Sequence, residues 1–199
     1  MKELRTSLRT LGVDDGYFPP TYKKSGRRTL IATAVCEGIN LVAIKLEKIA
    51  VDGLDGTEAV LKCVKSLGTG YSALFLDGVT YAGFNVVDPD IIYSETEKPV
   101  ITVFKHSLNL KLIKEALMKN FNDWPYRYEV IERTYLRAHE ITTPKGNLII
   151  SCIGISYADA FNVIVNLQNI NQYPEPLRVA DLIASGLTRS QDILTAINN

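Results

Sequence analysis

Leu11-Gly12-Val13-Asp14-Asp15-Gly16 and Leu74-Phe75-Leu76-Asp77-Gly78 are the two stretches that decide the fold. Each is a short apolar run that ends in an acid and then a glycine. Such a run reads as a buried strand delivering a carboxylate to a sheet edge, where glycine lets the backbone turn away. Two of these strands side by side bring two carboxylates into one cleft. Like charges held together repel unless a cation lies between them, and oxygen ligands favour Mg2+ or Mn2+. The pair is the skeleton of a metal-dependent phosphoryl-transfer site.

Outward from these strands, the rest of the chain reads as α/β. Arg28 to Glu37 and Leu41 to Val51 are strands joined at Gly38-Ile39-Asn40. Between Gly16 and Arg28, Pro19 and Pro20 forbid regular structure. Asp55-Gly56-Thr57-Glu58 opens a helix that closes at Gly68, and Asp-x-x-Glu there matches a reciprocal cap. Val100 to Phe104 is a further strand and Ser107 to Phe121 an amphipathic helix. Arg133 to Ile141 and Asn147 to Ile155 read as a hairpin across Thr143-Pro144-Lys145-Gly146. Tyr157 to Leu167 and Leu177 to Ala184 read as helices, and a last helix starts at Thr188, where Thr-Arg-Ser-Gln matches a capping box.

At 199 residues a single domain over 1–199 is expected. No stretch approaches the ~20 apolar residues of a membrane span. Met1-Lys2-Glu3-Leu4-Arg5 carries no hydrophobic signal region, so a cytoplasmic protein with no membrane partner is expected. Cys36, Cys63 and Cys152 have no CxxC spacing and read as buried reduced thiols. The formal net charge is zero, so no global charge announces a nucleic-acid partner. Locally, Lys23, Lys24, Arg27 and Arg28 cluster, whereas residues 77–97 carry acids and no base, a contrast that suits a phosphodiester beside a metal-holding rim.

Other side chains carry chemistry of their own. In Tyr81-Ala82-Gly83-Phe84-Asn85, just after Asp77, small residues allow close approach of a ligand. Tyr81 and Phe84 can stack a base and Asn85 can read its edge. Lys105, at a strand end, can stabilise a phosphate or leaving oxygen. Arg178, after Pro174-Glu175-Pro176, can reach a backbone phosphate. His106 and His139 lack ligand spacing, so zinc is not expected.

The β-β-β-α-β opening, with acids on its first and fourth strands, resembles the ribonuclease H-like fold. LGVDDG, VDGLDGTE, LFLDGVTYAGFNVVDP, KPVITVFKH and YPEPLRVADLIASG together resemble an archaeal family related to endonuclease V, the endonuclease dU family, from Leu11 to about Gly186. That resemblance implies an endonuclease V-like mixed sheet flanked by helices. It also implies an Mg2+- or Mn2+-dependent DNA-repair endonuclease acting beside a deaminated base, with deoxyuridine the family's substrate. The first-strand metal ligand falls on Asp14 or Asp15; Asp14 is favoured, with Asp15 supporting it or the turn. The fourth-strand ligand falls on Asp77 and the catalytic lysine on Lys105. Endonuclease V supplies a third acid from a Tyr-Pro-Gly-Leu-type segment that this chain lacks, so Asp52, Asp55 or Glu58 is expected to replace it. Tyr81, Gly83, Phe84, Asn85, Arg178, Lys23 and Arg27 are the expected substrate contacts. The alternative is a non-catalytic nucleic-acid or protein-binding module on the same fold. Gly-Val-Asp-Asp-Gly also resembles the first phosphate loop of sugar-kinase and actin-like ATPases, which need a second such domain.

Overall fold

The computed structural model describes residues 8–199, so the reading of Met1 to Arg5 falls outside the described residues. Strand β1 (Arg9–Asp15) carries five consecutive buried residues, β4 (Ala73–Asp77) four, and β7 (Val100–Phe104) is buried throughout. Apolar runs without alternation are strands covered on both faces. With β2 (Arg28–Glu37), β3 (Asn40–Ala50), β8 (His139–Thr143) and β9 (Gly146–Ile153) they form a seven-stranded sheet of order β3-β2-β1-β4-β7-β9-β8. β1, β4 and β7 are mutually parallel, and β2, β3 and β9 pair antiparallel to their neighbours. The mixed α/β sheet expected from the sequence is present.

Register positions the acids. Val13 pairs with Leu76, so Asp14 and Asp77 follow side by side. Asp77 pairs with Val103, so Lys105 comes just beyond the end of β7. Helices α1 (Gly56–Leu67), α2 (Pro89–Thr96), α3 (Leu110–Asn120), α4 (Trp124–Leu136), α5 (Tyr157–Leu167), α6 (Glu175–Thr188) and α7 (Gln191–Asn198) flank the sheet; β5 (Thr80–Tyr81) and β6 (Asn85–Val86) form a small ribbon after β4.

Helix α6 lies directly on β1, because two glycines permit it. Gly12, Asp14 and Gly16 share one face of the strand. A Cβ on Gly12 would stand 2.2 Å from the Pro176 carbonyl carbon, and one on Gly16 would stand 2.5 Å from Thr188 Oγ1. Both ends of the helix are therefore seated on the strand, with Asp14 between them.

Three local readings are corrected. Arg133 to Leu136 are helical, not strand: Val130, Ile131 and Thr134 are buried at helical spacing and Pro125 sits in the first turn of α4. Thr188 does not start a helix; it ends α6 and donates its hydroxyl to Ala184 O at 2.7 Å, and α7 begins at Gln191 after Ser190. Asp55 stands at the N-cap of α1 but makes no capping bond with its side chain. The three cysteines are free thiols, two buried and Cys152 half-buried. Among the described residues, no helix is long and apolar enough to cross a membrane.

Candidate active site

Asp14 and Asp77 meet at the carboxyl ends of β1 and β4, with side chains only 8% and 10% exposed. Lys105 contacts Asp77 Oδ2 and lies 3.9 Å from Asp14 Oδ2. Burial, and then the charge of Asp77, push the Asp14 carboxyl well above the usual carboxylate range. Burial works against the Lys105 ammonium, but Asp77, Asp14 and Asp181 outweigh it and hold its pKa above the ordinary lysine value.

The adjacent acids divide by face. Asp14 turns to α6 and Asp77. Asp15 turns to the other face, where its Oδ2 accepts from Ala82 N at 2.7 Å, and burial raises it to about 6. Asp15 therefore anchors the loop after β5 rather than joining the pair.

Asp52, Asp55 and Glu58 are not brought to the carboxylate pair. Asp55 accepts from Ala50 N at 3.1 Å and Asn85 Nδ2 at 2.7 Å, and pairs with Arg28 at 3.1 Å. Asp52 Oδ1 accepts from Phe84 N at 3.0 Å. Glu58 lines a separate polar cavity of about 180 Å3 with Arg28, Glu47 and Lys62. The end of β3 is two strands from β1, so acids placed there serve their own turn.

The acid that does share the cleft is Asp181 on α6, which the sequence reading missed. It lines a cavity of about 130 Å3 with Asp14, Asp77, Lys105, Tyr173 and Arg178. The available signal was an acid interrupting the apolar helical run Val179-Ala180-Asp181-Leu182-Ile183-Ala184. Arg178 is tied by two hydrogen bonds to buried Glu175, which holds its guanidinium on this cavity. Among the described residues no group of three or more His, Cys, Asp or Glu side chains is gathered around one point for a metal. Asp14 and Asp77 nonetheless fit a hard divalent cation as a pair. They are buried oxygen donors of like charge, and an ammonium already stands against them.

The loop expected to grip a base is mostly structural. Tyr81 is 0% exposed and donates its hydroxyl to Val13 O at 3.3 Å. Asn85 is buried, its Oδ1 accepting from Gly56 N at 2.9 Å and its Nδ2 donating to Ala50 O at 2.8 Å. Gly83 is required because φ is +91° and a Cβ would stand 2.3 Å from Asp52 Oδ1. Tyr81, Gly83 and Asn85 are thus corrected from ligand contacts to internal supports. Phe84 is different. It lines an apolar cavity of about 210 Å3 that begins at Asp77 and Lys105 and includes Thr80, Phe104 and His106. Arg127, which sequence reasoning also missed, is 3% exposed and donates to the carbonyls of Phe84, Gly53 and Asp52. Arg27 lies over the Tyr22 ring at 5.0 Å, and Lys23 borders another groove on Phe84, away from the carboxylates.

The mixed sheet, with acids ending two adjacent parallel strands under a helix that contributes another, has an endonuclease V-like fold. Human endonuclease V shares the fold at a TM-score of 0.57 and 17% identity, over 96% of this chain and 86% of that one. Endonuclease V of Ciona intestinalis, solved with inosine-containing DNA, gives a TM-score of 0.58 at 14% identity, over 98% and 89% of the two chains. More narrowly, the chain belongs to the endonuclease dU family, whose model matches residues 6–188. A UPF0215 protein of Thermococcus gammatolerans is 34% identical over 189 residues, which cover 94% of this chain and 95% of the relative. An Archaeoglobus fulgidus protein of unknown function has a TM-score of 0.78 at 25% identity, over 90% of this chain and 98% of its own.

Proposed function

We propose that the protein is a metal-dependent endonuclease that hydrolyses a DNA phosphodiester beside a deaminated base, with deoxyuridine preferred. The observation that carries this reading is the Asp14–Asp77 pair against Lys105, opening into a base-sized apolar cavity. The family description and the DNA-bound endonuclease V neighbour support it. Asp14 and Asp77 would hold Mg2+ or Mn2+, with Asp181 on the wall of the same cavity. Such a cation neutralises charge on the phosphate and lowers the pKa of water.

The chain's own groups do the rest. Lys105, set against Asp77 just beyond the end of β7, would stabilise charge that grows on the phosphate in the transition state or protonate the leaving oxygen. Arg178, fixed by Glu175, orients the phosphodiester at the cavity rim. The apolar cavity, at about 210 Å3, is smaller than the ~300–1,000 Å3 typical of drug-sized ligands and suits one unstacked base. Its lining is mostly apolar, and Thr80 and His106 would supply polar contacts to the base edge. A packed wall can reject the thymine methyl by ~1–3 kcal/mol, and a U·G mismatch lowers the cost of extrusion.

The test is a nicking screen with Mg2+ or Mn2+ over duplexes carrying uracil, hypoxanthine, xanthine or an abasic site. Cutting at uracil, suppressed by EDTA, is the expected result. Phe84→Ala should lower uracil preference over undamaged DNA by about tenfold, because the cavity loses one wall. Cutting at hypoxanthine alone would reassign the base. No cutting of any lesion in DNA or RNA would leave a non-catalytic binding module.

A further inference from the structure

Phe84 borders two cavities. One is the apolar chamber beside Asp77. The other, about 110 Å3, lies on the far side of the edge-on Phe84–Phe121 contact and is bounded by Lys23, Lys24, Asp52 and Asn120. Nothing in the hydrolytic site uses it.

Its construction carries strain. Lys24, Asp52 and Ala82 hold left-handed backbone, at φ of 55°, 58° and 46°, and Asp52 N donates to Ala82 O at 2.8 Å. Such conformations are costly for residues other than glycine and persist only where the surroundings hold them. Arg127 braces the Asp52 and Phe84 side: it gathers the Asp52, Gly53 and Phe84 carbonyls at 2.6–3.1 Å and lies 4.3 Å from the centre of the Phe121 ring. The partition between the cavities is therefore braced from behind by a buried cation.

We infer that this second groove is a phosphodiester subsite for the nucleotide next to the base in the apolar chamber, with Phe84 and Phe121 as the divider between the two nucleotides. The inference rests on the nuclease reading. Lys23 and Lys24 supply the positive charge. Lys24 Nζ donates to Asn120 Oδ1 at 3.0 Å, which orients the ammonium and leaves other donors free. Asp52 is the one acid on the wall, and its Oδ1 is engaged by Phe84 N, so the anion belongs on the lysine side. An aromatic divider with lysines grips backbone and sugar without reading sequence. It would hold the neighbour in place while the damaged base leaves the stack.

The experiment measures kcat/KM for nicking a uracil duplex, and Kd for a lesion-free duplex, from 50 to 200 mM KCl. In Lys23→Ala/Lys24→Ala, both should weaken roughly tenfold, and the log-affinity versus log-salt slope should flatten by ~0.9 for each phosphate that the variant no longer neutralises. Lys23→Arg/Lys24→Arg should restore the slope, which a packing defect would not allow. A wild-type protein that nicks normally, beside an Ala variant with unchanged slope or an Arg variant without rescue, overturns the subsite alone. A folded wild-type protein that never nicks overturns the nuclease reading and the subsite with it.

Discussion

Asp14→Asn should lower kcat for nicking by at least about 10³-fold and, at the same time, raise the melting temperature of the metal-free protein. The two effects share one cause. Asp14 is buried beside Asp77, so its carboxyl resists ionisation in the folded chain. Burial and the neighbouring Asp77 disfavour the charged form in the folded protein, and a neutral isostere removes that penalty. A gain of ~1 kcal/mol corresponds to about 2–4 °C for a chain of this size. The sign follows from the raised folded-state pKa. The penalty grows as pH rises above the unfolded value of about 4, and below that pH Asp14 is protonated in both states and the difference vanishes. Melting curves at neutral and acidic pH, paired with the nicking assay, check both halves. Lost stability with activity retained would make Asp14 a structural carboxylate.

Gly12→Ala should be strongly destabilising. The added Cβ would meet backbone, not a side chain that can turn aside: Pro176 C at 2.2 Å, Pro176 O at 2.3 Å and Leu177 N at 2.5 Å. Overpacking typically costs about 1–3 kcal/mol, and a clash with the start of α6 belongs at roughly 3 kcal/mol or above. Because α6 carries Asp181 and Arg178, nicking should fall further than stability alone explains. Denaturant unfolding and activity, measured on the soluble fraction, test this. A variant with wild-type midpoint and rate would show that α6 is not fixed by its seat on β1.

How much of this was legible depended on how local the signal was. The acid-glycine ends of β1 and β4 could be read because a continuous apolar run that stops at Asp-Gly is a strand signature contained in a few residues. Helix α2 was written in Val87-Asp88-Pro89, where Asp88 accepts from Asp90 N and Ile91 N, but its eight residues are too few to show a helical period. The 133–141 segment misled because α4 buries only a narrow stripe, leaving Leu136 70% exposed, and its apolar residues mimic alternation. Asp181 was hidden for a different reason. Its role comes from α6 lying on β1, a contact that Gly12 and Gly16 permit from the far end of the chain. Asp52, Asp55, Tyr81 and Asn85 looked functional as polar or aromatic residues near a glycine turn. Their hydrogen bonds are instead spent on each other and on the backbone.

The function proposed for this chain stands or falls on Asp14 and Asp77 acting as a cation-holding pair beside Lys105. Calorimetric titration of Mn2+ into the wild-type protein and into Asp77→Asn tests that pairing most directly. The expected result is a saturable binding heat in the wild type that disappears in Asp77→Asn, while circular dichroism shows both proteins folded. Equal heats in the two proteins, or no heat in a folded wild type, would contradict it.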